Sequence, residues 1–295
     1  MPLSLIYMES QLRIKKIDNR QLNDRRFKMK KIVTLFLSIF IFSCAVNPYR
    51  KSEKTYNKQL KSLIKTISKK DTVHVDNRLA SKFIGTTNFN LRKPNFVIIH
   101  HTAQDSLAQT IKTFTLTRTQ VSAHYIIADD GRIVQMLNDY MRAWHAGSGT
   151  WSKNADINSC SIGIELDNNG VEPFSENQIK SLLALLTKLK KDYNIPAQNF
   201  IGHSDIAPTR KNDPSKMFPW KLLSEKGFGL WQKGELVPAP ATFDAEIGLK
   251  LIGYDTKNRE AAIQAFKLHF NQNQIDGILD QPAIDLIYNI YLQSL

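Results

Sequence analysis

The chain has 295 residues, with 40 Lys+Arg against 27 Asp+Glu and a formal net charge of +13. Residues 1–93 carry 21 basic and 6 acidic side chains, and residues 94–295 carry 19 and 21, so the whole excess sits in the first third. A hydrophobic content of 42% excludes a wholly disordered chain. Two cysteines, Cys44 and Cys160, cannot build a disulfide framework. Length predicts about two domains. Residues 94–295 show no basic stripe with interleaved aromatics, which argues against a nucleic-acid partner despite the overall charge.

The first recognisable element is Met29-Lys30-Lys31 followed by an 11-residue apolar run, Ile32 to Phe42, and Ser43-Cys44. A charged start, a short apolar stretch and a small residue make a signal segment over 29–44. The run is shorter than the roughly 18 residues of a membrane-spanning helix. Its Ile-Phe-Ser-Cys ending resembles a bacterial lipobox, which implies lipidation of Cys44. Phe42 is bulkier than that pattern usually carries. Residues 1–28 precede the signal and are expected to be a gene-model extension, with translation starting at Met29. Residues 45–93, with 12 basic and 3 acidic side chains, read as a basic tether containing a short helix from Gln59 to Ile67. Such a charge run is a solvated linker with a weak attraction to anionic surfaces.

Phe96 to Ile99 reads as a buried strand ending in His100-His101. Ser106 to Leu116 has helical spacing. His124–Ala128 and Arg132–Leu137 flank Asp129-Asp130-Gly131, a hairpin signal. Ser161 to Leu166 alternates as a strand. Ser175 is a good helix N-cap with Gln178 as a capping-box partner, and Ile179, Leu182, Leu183, Leu186 and Leu189 form one face of the helix that follows. Phe200 to His203 is a short strand. Interleaved strands and helices predict an α/β domain over 94–233, with a mixed sheet flanked by helices.

His100 and His203 close two of these strands, and Asp213 follows His203 by ten residues in a polar loop. Two imidazoles, a carboxylate and an open position satisfy a catalytic zinc, and the mixed donors disfavour calcium. A histidine at a strand end is more often packed or solvated than a ligand, so spacing alone leaves both readings open.

Five blocks occur in order: Val97-Ile-Ile-His-His-Thr-Ala103, Ser122-Ala-His-Tyr-Ile-Ile127, Ala143-Trp-His-Ala-Gly147, Ser161-Ile-Gly-Ile-Glu-Leu166 and His203-Ser-Asp-Ile-Ala-Pro-Thr-Arg-Lys-Asn-Asp213. Together, over about residues 93–232, they resemble the type 2 zinc-dependent N-acetylmuramoyl-L-alanine amidases, and most of all their outer-membrane lipoprotein members. That resemblance implies a mixed sheet flanked by helices and one zinc per chain on His100, His203 and Asp213. It further implies Glu165 as general base and Lys211 as the cation facing the developing oxyanion. The reaction implied is hydrolysis of the amide joining N-acetylmuramic acid to L-alanine in peptidoglycan or muropeptides. His101 should face away from His100 on the strand and be structural. Trp144 and His145 are candidates for the substrate groove, with a packed, hydrogen-bonded His145 an equal alternative. Cys160 reads as a buried apolar side chain.

Gly234 to Pro240 reads as a linker. Amphipathic stretches follow at about 243–252, 258–270 and 280–292. Leu251-Ile-Gly-Tyr-Asp255, Ala262-Ile-Gln-Ala-Phe-Lys267 and Ile275-Asp-Gly-Ile-Leu-Asp280 resemble a small three-helix peptidoglycan-binding domain, here 241–295. Lys267 stands where that family usually carries glutamine, and a purely buttressing appendage is the alternative. The expectation is a monomer of the cell envelope, lipid-anchored on the outer membrane and facing the periplasm. Two rivals share the resemblance. A non-catalytic recognition module would lack part of the metal set, which is complete here. A cytosolic amidase of wall recycling would need neither signal segment nor C-terminal domain.

Overall fold

The computed structural model describes residues 47–68, 74–75, 78–79, 91 and 93–295. The apolar segment 32–42 and Cys44 lie outside these residues. Among the described residues, no helix is long and apolar enough to cross a membrane. The described residues fall into two units, one within residues 1–67 and one within residues 68–295.

In the first unit, helix α1 runs Arg50–Ile67 and has no buried residue. It starts nine residues before the helix expected from Gln59. Asn47 caps its entry, accepting from the Tyr49 N–H at 2.9 Å and donating to Glu53 at 3.0 Å. The lysines are good helix formers, which carries the helix through a stretch without an apolar core face.

The second unit opens on a two-residue antiparallel pair, β1 (His74–Val75) and β2 (Arg78–Leu79). Its centre is a five-stranded sheet of β3 (Phe96–His101), β4 (Tyr125–Ile127), β5 (Ile133–Gln135), β6 (Ser161–Leu166) and β7 (Phe200–Gly202). The spatial order is β5-β4-β6-β3-β7. Strands β4, β6, β3 and β7 are parallel and β5 is antiparallel, so the sheet is mixed as expected. Helix α2 (Leu107–Thr115) starts at Ser106, whose hydroxyl accepts from the Gln109 N–H.

Alternation along β3 assigns its side chains to two cores. Phe96 and Ile98 enter one, and Val97 and Ile99 the other. The Val97 side packs against α3 (Glu176–Tyr193) through Ile179, Leu182, Leu185, Leu186 and Leu189. Leu185 joins this face, whereas Leu183 is only partly buried at its edge. Ser175 caps α3, accepting from the Gln178 N–H at 3.1 Å. The reciprocal capping-box bond is not made. The Gln178 side chain instead donates to the Ile127 and Asp167 carbonyls at 2.9 and 3.1 Å, because burial places it against the ends of β4 and β6.

The Phe96 side packs against the C-terminal helices α6 (Ala245–Ile252), α7 (Arg259–Phe270) and α8 (Gln281–Ser294). Ile98 and Ile201 share that core with Leu249, Phe266 and Ile287. The linker is pinned to α8, with the Val237 N–H on Asn289 at 3.1 Å and the Ala239 N–H on Asp285 at 2.9 Å. Cys160 is half-buried against the same core. Between sheet and linker lie two short helices, α4 (His203–Ile206) and α5 (Trp220–Glu225).

Candidate metal centre

The C-terminal ends of three adjacent parallel strands bring the site together. His100 and Glu165 are register partners on β3 and β6, and Ile99 pairs with Gly202; the strand expected to run to His203 ends at Gly202, and His203 opens α4 just beyond it, beside His100. Register partners on parallel strands face the same side. Crevices at the carboxyl ends of parallel strands are where open α/β sheets bind ligands.

His100, His203 and Asp213 are all buried. His100 Nδ1 lies 2.9 Å from His203 Nδ1 and 3.1 Å from Asp213 Oδ2, and His203 Nδ1 is also 3.1 Å from Asp213 Oδ2. Among the described residues these three form a group able to hold a metal ion. Ligand atoms around a tetrahedral zinc, bound at about 2.0–2.1 Å, stand about 3.3 Å apart. The observed spacings are close to that, and the N, N, O donor set suits zinc.

The protonation of His100 follows from a chain of hydrogen bonds. Ser161 Oγ–H donates to the Ile157 carbonyl at 2.6 Å. Ser161 Oγ therefore accepts from His145 Nε2–H at 3.1 Å. With that proton on Nε2, His145 Nδ1 accepts, and His100 Nε2–H donates to it at 3.1 Å. His100 Nδ1 is left with its electron pair directed at the His203–Asp213 pair, as a metal ligand requires. Burial, reinforced by His203, lowers the His100 pKa to about 4, and burial lowers His145 well below its ordinary value. Both rings are neutral at pH 7.

Strand β6 makes room for this arrangement. Ile162, Ile164 and Leu166 face α3, and Ser161, Gly163 and Glu165 face the site. A Cβ on Gly163 would stand 2.4 Å from the His145 ring. Two further bonds fix the loop that carries His145, from its own N–H and that of Ala146 to Asn158 Oδ1 at 3.0 and 2.9 Å. His145 thus takes the packed, hydrogen-bonded alternative and lies behind His100, while its neighbour Trp144 is 51% exposed.

Glu165 is half-buried at the rim of this row. Burial raises its pKa to about 8, the nearby Asp213 carboxylate adds to the rise, and Lys211 opposes it. Lys211 is exposed, with its N–H bonded to the Ala207 carbonyl at 3.0 Å. His101 faces the other side and accepts from the Ser215 N–H at 3.1 Å, two residues past Asp213. His124 is fully buried. It accepts from the Gly163 N–H at 3.0 Å and donates to the Met141 carbonyl at 2.9 Å.

A mixed sheet with a buried His-His-Asp group and a carboxylate in register with His100 defines a candidate metallohydrolase. The comparisons with known proteins agree. The profile of the N-acetylmuramoyl-L-alanine amidase family matches residues 90–216. The N-acetylmuramoyl-L-alanine amidase AmiD of Escherichia coli (strain K12) is 35% identical over 219 residues, covering 62% of this chain and 77% of the relative. The 1,6-anhydro-N-acetylmuramyl-L-alanine amidase AmpD of Haemophilus influenzae is 41% identical over 103 residues, 35% of this chain and 56% of that one. Among solved structures, E. coli AmiD in complex with anhydro-N-acetylmuramic acid-L-Ala-D-gamma-Glu-L-Lys has a TM-score of 0.63 at 28% identity, covering 76% of this chain and 98% of that one. AmpDh3 of Pseudomonas aeruginosa has a TM-score of 0.62 at 28% identity, covering 75% and 98%. The chain belongs to the N-acetylmuramoyl-L-alanine amidase family.

Proposed function

We propose that this chain hydrolyses the amide between N-acetylmuramic acid and L-alanine in peptidoglycan or its fragments, with one zinc held by His100, His203 and Asp213. The observation that carries the reading is the gathering of those three buried donors at the carboxyl ends of the parallel strands, with Glu165 the register partner of His100. The relatives are named for this reaction, and one was solved with an anhydromuramyl tripeptide.

A bound zinc supplies Lewis acidity, which activates water and polarises the amide carbonyl. Glu165 takes the proton of the attacking water and delivers it to the nitrogen of the departing L-alanine as the C–N bond breaks. Lys211, on the loop that carries Asp213, places its ammonium toward the oxygen on which negative charge develops. Trp144 offers an exposed aromatic face for the substrate beside the site. Purified sacculi digested with the protein should release stem peptides with an L-alanine amino terminus. Disaccharide products would mean a glycosidase instead.

The same reading places the chain in the cell envelope as a monomer, lipid-anchored through Cys44 to the outer membrane and facing the periplasm. Helix α1 supports an anchored surface location. Arg50, Lys51, Lys54, Lys58, Lys61 and Lys65 lie opposite Leu60, Leu63 and Ile67 at helical spacing, and a polybasic segment adds to the hold of a lipid chain. Helices α6–α8 are read as a peptidoglycan-binding domain. Mass spectrometry of the native protein should find a lipid-modified peptide beginning at Cys44 and none from residues 1–28.

A further inference from the structure

Asp205 lies two residues past His203 and is 0% exposed. A carboxylate in that position is tolerable only if donors surround it. Three do. The Gly202 N–H donates to Oδ2 at 2.7 Å, which closes the turn at the end of β7. The other two come from the C-terminal helices. Tyr254 O–H donates to Oδ1 at 2.6 Å and His269 Nδ1–H donates to Oδ2 at 2.7 Å. Both donors are themselves fixed. The His269 ring stacks on Trp220 at 3.8 Å and 17°, and Tyr254 packs edge-on against Trp151 at 5.0 Å. The turn that Asp205 holds carries His203 at its start, and its Ser204 N–H binds the Asp213 carbonyl at 2.8 Å. Two of the three metal donors therefore depend on a turn whose buried anchor is gripped from residues 241–295.

We infer that Tyr254 and His269 are positioning residues of the metal centre, acting through Asp205. The C-terminal helices are then part of the zinc site and not only an appendage for wall attachment. This inference rests on the zinc reading above. Partners that orient metal ligands are commonly worth 10–100-fold in affinity.

The test uses the full chain with Tyr254→Phe, which deletes one oxygen, and His269→Phe, which keeps a stacked ring without the donor. Zinc affinity is measured by competition with a chromophoric chelator, alongside thermal melting of the metal-free proteins. Each variant should bind zinc about tenfold or more weakly than the parent. Asp276→Asn is the control. It removes the charge that pairs with buried Lys267 across 2.6 Å, from a partly exposed carboxylate in the same helical region that does not touch Asp205, and should lower melting but leave zinc affinity unchanged. Parent-like zinc affinity in Tyr254→Phe, even with lowered melting, overturns the inference. Should His269→Phe not fold, Tyr254→Phe decides alone. A parent chain that binds no zinc would instead sink the zinc reading itself.

Discussion

His145 Nδ1 stands 3.1 Å from His100 Nε2 and sets which nitrogen of His100 carries its proton. The direction of that bond is dictated from behind, where Ser161 Oγ–H is committed to the Ile157 carbonyl. An imidazole oriented in this way keeps its other nitrogen open to a metal. His145→Ala should therefore weaken zinc binding by about 10–100-fold. Chelator competition measures it, and zinc affinity within twofold of the parent would remove His145 from the metal centre.

Gly163 supplies the space that His145 occupies. A Cβ there would lie 2.4 Å from Cγ and 2.5 Å from Cδ2 of the ring, closer than any side chain tolerates. The ring is boxed in, since its loop is tied to Asn158. Gly163→Ala should cost about 1–3 kcal/mol of stability, the usual cost of overpacking. It should weaken zinc binding as well. Denaturant titration of the metal-free protein checks the first expectation, and an unchanged midpoint would show that the ring has somewhere to go.

Glu165 couples function to stability with opposite signs. Its carboxyl titrates near pH 8 in the folded metal-free chain, against an ordinary value of 4.5. The folded state thus holds this proton more tightly than the unfolded one. Stability is full below about pH 4.5 and is lost progressively as pH rises toward 8. Glu165→Gln removes the ionisation, so the metal-free variant should melt several degrees higher than the parent at pH 7 and show a flatter pH profile. The same variant should keep zinc and lose about 10²–10⁴-fold in turnover. A variant that melts like the parent, or that turns over like it, contradicts the respective half of the argument.

Much of this was legible from local pattern. Amphipathic periodicity located α3 and the C-terminal helices to within a few residues, and the apolar run before His100 located β3. The metal donors were legible because His100 sits near a strand end, His203 directly follows one and Asp213 lies in the loop beyond, and the ordered blocks singled them out. What escaped depends on contacts distant in sequence. Nothing near Asp205 announces Tyr254, 49 residues away, or His269, 64 away. The Gly234–Pro240 linker divides the chain in sequence, yet the helices beyond it complete the core on one face of the sheet. His145 beside an exposed Trp144 looked equally fit for a groove, because its burial is set by Ser161 and Gly163 on another strand. Gln178 sat at a capping-box position, and only the ends of β4 and β6 explain where its amide goes.

The most direct measurement follows an anhydromuramyl tripeptide by mass analysis. The enzyme is stripped by chelator and then titrated with zinc. Release of the peptide with a free L-alanine amino terminus should vanish on stripping and return in full at one zinc per chain. His203→Ala should fail to recover at the same zinc concentration. Undiminished release by the stripped protein, or cleavage at any bond other than the one to L-alanine, would contradict a zinc amidase built on His100, His203 and Asp213.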